Sequence, residues 1–245
     1  MTQYTIRRIL YSIPVLIGIL VVTFVIARSI PGDPCKAMLG EKATAEVCER
    51  FNREQGLDQP IPVQFWIYMK DILRGDFGES IRYSRPVTII LIERLPMTIE
   101  LGMIALFLAV LVGIPLGVIS AVKRNSIVDV FTMLLANTGV SMPVYWLGLM
   151  LAYVFALVLR GTPFALPPSG RVTAGVIPIP FYEVYGWEVI EETTRFYFLE
   201  FFANIYTFNS IITGQWEVLW DTLEHLILPS VALFLFFFLI IVRMI

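Results

Sequence analysis

The chain has 245 residues, of which 57% are hydrophobic and 16% charged, and its mean hydropathy is +0.76. Soluble domains run at about 45–50% apolar and about 25% charged, so this balance excludes an ordinary soluble enzyme, and it excludes a disordered chain too. A formal net charge of −2 leaves no basic surface for nucleic acid.

Four windows carry no charged residue: 9–27, 101–122, 130–159 and 226–242, of 19, 22, 30 and 17 residues. A spanning helix takes about 17–25 apolar residues. Hydrocarbon offers the backbone no water, so such segments must satisfy their own hydrogen bonds as helices, and the alternating pattern of a membrane barrel is absent. The expected fold is an all-α, polytopic membrane protein with four transmembrane helices.

In chain order, residues 1–28 hold an N-terminal tail and the first helix. Arg7 and Arg8 precede it as in a signal peptide. Its apolar run is longer than the roughly 7–15 residues of a signal core, and residues 30–34 make a poor cleavage site, so it reads as an uncleaved span. Residues 29–98 form a long external segment. Pro31, Gly32, Asp33 and Pro34 open it as a rigid turn, since the prolines fix the backbone and Gly32 permits the bend. Cys35 and Cys48, the only cysteines, sit in it as a possible disulfide or as two free thiols. Without neighbouring histidines they imply no metal site.

Residues 99–159 hold the second and third spans. Ala105, Ala109, Gly113, Gly117 and Ala121 recur every four positions and predict a packing stripe, because small residues let helix backbones approach in lipid. Pro115 predicts a kink beside it. Ser126-x-x-Asp129 has capping-box spacing and predicts the start of the third helix. The third window is too long for a straight span, at about 45 Å against about 30 Å of hydrocarbon, and Pro143 is its natural break. Asn137 and Ser141 lie one turn apart on one face. They are candidates for lining a pathway, with helix–helix hydrogen bonding as the alternative. Gly148, Ala152 and Ala156 form a second small stripe. Glu100, at the mouth of the second span, is the charged pathway candidate; the alternatives are an ion pair with Arg94 or plain solvent exposure.

Residues 160–225 form a second external segment with 3 Lys/Arg against 8 Asp/Glu and 13 aromatic residues between positions 181 and 220. The stretch 196–214 reads as an amphipathic segment at the outer interface, with a further span as the competing reading. His225, the only histidine, reads as structural. Residues 226–245 are the fourth helix. Arg7, Arg8, Lys123, Arg124 and Arg243 then fall on one side, which the positive-inside rule makes cytoplasmic, with both termini. No phosphate-binding loop, nucleophile elbow or zinc-protease motif is present, and no span holds Asp, Glu or His, so catalysis by this chain is not expected and ion-coupled transport is disfavoured.

Eight stretches in order resemble one family. They are Arg28-Ser29-Ile30-Pro31-Gly32-Asp33-Pro34, Leu57-Asp58-Gln59-Pro60 with Gln64-Phe65-Trp66, Leu73-Arg74-Gly75-Asp76-Phe77-Gly78, Arg94-Leu95-Pro96-Met97-Thr98-Ile99-Glu100, Gly113-Ile114-Pro115-Leu116-Gly117, Ser141-Met142-Pro143-Val144-Tyr145-Trp146-Leu147-Gly148 and His225-Leu226-Ile227-Leu228-Pro229, after the opening Arg7-Arg8 and Pro14-Val15-Leu16. Together they are similar to the dipeptide/oligopeptide/nickel-type permease subunits of binding-protein-dependent ABC importers. The resemblance implies a type I importer permease and heterodimeric pairing with a second homologous permease. It further implies two cytoplasmic ATPase subunits that carry the ATP and magnesium, with no cofactor in this chain, and an external solute-binding protein that delivers a peptide, nickel chelate or oligosaccharide. Family members carry six spans and a cytoplasmic coupling helix after the fourth. Ile245 ends the sequence before those parts, so two expectations stand beside each other: a fragment of a longer permease subunit, or a truncated, non-transporting scaffold or assembly partner.

Overall fold

The computed structural model describes the chain apart from residues 1, 30, 31, 33, 41, 42, 55, 81, 191, 192 and 245, and apart from the side chains of residues 2, 34, 37, 38, 140 and 243. It divides into two compact units, residues 1–91 and 92–245.

In the first unit, α1 (Thr2–Ser29) contains Pro14 and exposes nearly its whole apolar surface. Among its described side chains Phe24 is the buried one, and it packs on Phe65 and Tyr68 of α4 (Ile61–Leu73) at 5.4 and 5.3 Å. α4 follows Pro60, which suits a helix start because the lost N–H would be unpaired there anyway. Between them lie α2 (Pro34–Leu39) and α3 (Ala45–Glu54), joined by a Cys35–Cys48 disulfide. A two-residue hairpin pairs β1 (Glu79–Ser80) antiparallel with β2 (Arg85–Pro86). Gly32 lies at a bend and Pro34 is the first residue of α2; the other two residues of the expected turn, Pro31 and Asp33, lie outside the described residues.

α5 (Val87–Val122) follows the hairpin at once. It begins about four turns before the charge-free window, so Glu93, Arg94 and Glu100 are helical. Length explains this: 36 residues give about 54 Å of helix, more than a bilayer core needs. Ala105, Ala109, Gly113 and Gly117 are buried as one face, whereas Ala121 is exposed and Ser120 is buried in its place. A strict four-residue spacing drifts by about 40° per step on a helix of 3.6 residues per turn. After four steps Ala121 has left the face, and Ser120 lies within it.

Asn125 turns the chain in the left-handed conformation (φ 61°), which asparagine tolerates. α6 (Ile127–Ser141) then starts with the Asp129 N–H donating to Ser126 Oγ, as the capping spacing predicts. The reciprocal half differs: the Asp129 carboxylate accepts from the Asn125 N–H at 2.8 Å and the Ser120 hydroxyl at 2.5 Å. It therefore ties the end of α5 to the start of α6.

The third window breaks at Pro143, the N-cap of α7 (Val144–Ala152), which continues as a π-helix (Tyr153–Val158). The two arms, Ile127–Gly139 and Val144–Val158, are bent by 100°. Contacts with α11 (Trp216–Met244) show where they run. Ala136 clusters with Phe238, Leu239 and Val242, and Gly139 faces Leu235. Further on, Gly170 lies against His225, and Thr173 bonds Asp221 through its N–H and hydroxyl at 2.6 and 2.5 Å. From Val242 to Asp221 is about 31 Å of helix. The segment that follows the bent pair therefore meets α11 about 31 Å from where α6 packs on it. By length and composition the described residues provide three helices able to cross a membrane, α1, α5 and α11, or four spans if the bent pair counts as one.

Residues 160–215 fold into a small cap with its own core. α8 (Phe181–Val184), α9 (Thr194–Ala203) and α10 (Tyr206–Thr213) bring Phe181, Tyr182, Leu199 and Ala203 together, with Phe196, Phe202 and Ile212 around them. The stretch 196–214 is therefore two short helices broken at Asn204–Ile205, each well under spanning length, rather than one continuous amphipathic element. Buried Asn209 holds residues 179–181 by accepting from the Phe181 N–H and donating to the Ile179 carbonyl, both at 2.8 Å.

Candidate functional site

Glu100 lies on α5 with 4% of its surface exposed. A carboxylate so placed needs partners, because an unpaired buried charge is far costlier than a paired one. Oε2 accepts from Arg171 Nη2 at 3.2 Å, and Oε1 accepts from the Thr207 N–H at 2.7 Å. Thr207 is in the first turn of α10, whose own N-cap, Ile205, supplies no side-chain bond. Glu100 thus caps a helix from another element, where a negative charge also meets the positive end of the helix dipole. Arg171 is held in turn by a bond to the Asn204 carbonyl, at the C-cap of α9, and by its guanidinium lying 3.5 Å from the centre of the Tyr206 ring. Its side chain is 21% exposed.

Arg171 replaces Arg94 as the ion-pair partner considered for Glu100, and water is kept away from the carboxylate. Glu100 is therefore a junction between α5, the loop before α8, α9 and α10, rather than a charge open to a vestibule. Arg171, Asn204, Tyr206 and Thr207 escaped sequence reasoning. One signal was available: a lone cation in a proline- and glycine-rich stretch and a lone carboxylate at an apolar helix end are both costly unless paired.

The other pathway candidates lie at the break in the third span. Asn137 and Ser141 are both exposed, and the Ser141 hydroxyl donates to the Asn137 carbonyl at 2.8 Å. They share a face, as their spacing predicts. Glu100 and this pair sit in separate surroundings: Glu100 against the cap, the pair at the end of α6 beside Pro143. The packing stripe has a different role. A Cβ added at Gly113 would lie 3.2 Å from Ile241 Cγ2, so the glycine permits α5 to approach α11. His225 is buried, and its Nδ1 lies 2.8 Å from the Asp221 carbonyl, one turn back in α11. That matches its structural reading.

Comparison with known proteins identifies this architecture. Residues 113–245 match the family described as the binding-protein-dependent transport system inner membrane component, and residues 1–102 match the N-terminal membrane component of the same systems. The chain belongs to this family. It is accordingly a multi-pass, helical inner-membrane component. It is similar to a dipeptide transport system permease protein of Alkalihalophilus pseudofirmus, 38% identical over 95% of this chain and 62% of the relative. A probable D,D-dipeptide transport system permease protein of Escherichia coli is 38% identical over 89% of this chain and 57% of the relative. The dipeptide transport system permease protein of the same species is 35% identical over the whole chain and 66% of its own length. The chain thus spans about three fifths of the length of the family members it matches first.

Proposed function

We propose that the chain forms the permease part of an ATP-driven, binding-protein-dependent importer, contributing half of a pathway for peptides or a similar small polar solute. The observation that carries this reading is the family match along nearly the whole chain, with the helical core α5–α6–α7–α11 lying inside it. Peptides are favoured over nickel chelates and oligosaccharides because the relatives above are named for dipeptides. In this reading the side bearing Lys123 and Arg124 faces the cytoplasm, the cap faces outward to the solute-binding protein, and a second homologous permease completes the pathway. Two cytoplasmic ATPase subunits supply ATP binding and hydrolysis, so the chemistry resides in them and this chain acts as a conduit. Asn137 and Ser141 are the side chains proposed to line that conduit.

Affinity purification of the native subunit from its own membrane tests the assembly. The expected result is co-purification of a second permease and an ATPase pair, with ATP hydrolysis stimulated by a peptide-loaded binding protein. A preparation without ATPase subunits would contradict the reading. Asn137→Ala and Ser141→Ala are expected to change peptide uptake by the intact complex; unchanged uptake removes them from the pathway.

A further inference from the structure

We propose that Arg171 and Glu100 form a buried latch that fixes the cap to α5, so that cap and α5 move as one body. Four elements converge on this pair. Glu100 supplies the carboxylate from α5 and caps α10 through Thr207. Arg171 comes from the loop before α8, pairs with that carboxylate, holds the Asn204 carbonyl at the end of α9 and stacks on Tyr206 at the start of α10. The rest of the α9–α10 hydrogen bonding is local to the cap: Tyr182 to Glu200 at 2.6 Å, Asn204 to Glu200 at 3.0 Å, and Asn209 to residues 179 and 181. These bonds hold the cap together without tying it to α5. A second tie, Thr173 to Asp221, runs to α11. Among the described residues, the Glu100 pair is thus a polar attachment of the cap to α5. At its C-terminal end α5 is bound to α6 through Ser120 and Asp129. From Glu100 to Ser120 is about 30 Å of helix, so a displacement of the α5–α6 turn reaches the cap through a rod with a polar fastening at each end. Arg171 and Glu100 are positioning residues in this account. Their effect on transport rests on the importer reading; the latch itself does not.

Hydrogen exchange on the intact complex in lipid nanodiscs, with Arg171→Met, Arg171→Lys, Glu100→Gln and the Glu100→Gln/Arg171→Met pair, tests it. Breaking one side of a buried pair is the most damaging change and removing both sides is milder. Arg171→Met is therefore expected to speed exchange of amides 194–213 by at least about tenfold. Amides of α6 and α11 around residues 136 and 238 stay unchanged, Arg171→Lys gives partial rescue, and the double variant falls below the sum of the single effects. Unchanged cap exchange in Arg171→Met, or effects that simply add in the double variant, overturns the latch. On the same preparations, Arg171→Met is expected to raise the binding-protein concentration for half-maximal uptake by about tenfold, with a smaller change in maximal rate. A loosened cap with unchanged uptake kinetics overturns the positioning role. Wild-type vesicles that take up no peptide count against the importer reading alone, because exchange still decides the latch.

Discussion

A single added methyl group distinguishes the glycines of this chain. At Gly139 a Cβ would lie 2.8 Å from Leu235 Cβ and 3.3 Å from the Leu235 carbonyl oxygen, so α6 and α11 touch there through backbone. At Gly148 nothing stands within 4 Å of the added atom. Replacing glycine by alanine in a helix gains about 1 kcal/mol, whereas overpacking costs about 1–3 kcal/mol. Gly139→Ala is therefore expected to lower the thermal midpoint of the purified protein and Gly148→Ala to leave it unchanged or raise it, measured by tryptophan fluorescence in detergent. The close contact at Gly139 depends on which helix packs beside it, which spacing along one helix does not show. The buried stripe was legible as far as Gly117 because four-residue spacing stays near one face for about three turns. It failed at Ala121 because the same spacing drifts off the face. Arg171 shows the complementary limit. Its partner is 71 positions away, beyond the reach of any local pattern.

The link between α5 and α6 is an element-scale device built from one carboxylate. Asp129 accepts from Ser120 and Asn125 and its own N–H is capped by Ser126. Trypsin added to the side bearing Lys123 and Arg124 should cut Asp129→Ala faster than wild type, while Asp129→Asn falls between them; equal rates would mean the turn is held by other contacts. The α2–α3 pair is fastened by the Cys35–Cys48 bond across a separation of 13 residues. Closing a loop of this size restricts the unfolded chain by about 3 kcal/mol. Alkylation of the native protein without reductant is expected to modify neither cysteine, and alkylation after reduction to modify both, as read by peptide mass. Helix ends were the least legible elements. α5 starts 14 residues and α11 ten residues before their charge-free windows, because a helix continues past the apolar run wherever its polar residues find partners, as Glu100 does with Arg171 and Thr207. The aromatic content of the cap was legible in the composition, but its internal core depends on contacts between Phe181 and residues past 199 that composition does not reveal.

For the whole molecule, the absence of charge over four windows already specified a helical membrane protein, since hydrocarbon leaves the backbone no other solution. The bent third window decides how the chain is threaded. Single cysteines at Asn125 and Gly161, introduced beside the native Cys35–Cys48 pair and labelled by a membrane-impermeant maleimide, are expected to react from opposite sides. Reaction from the same side would mean a re-entrant segment and would invert α11 with respect to the proposed orientation. The family match supports the proposed transport role, and the proposed latch joins the cap to α5. The decisive measurement is uptake of a radiolabelled dipeptide into proteoliposomes holding the native subunit with its co-purified partners, with peptide and binding protein outside and ATP inside. The account predicts accumulation that requires ATP and the binding protein and survives collapse of the proton gradient. Accumulation driven by the proton gradient without ATP, or none from a complex that hydrolyses ATP in response to its loaded binding protein, would contradict it.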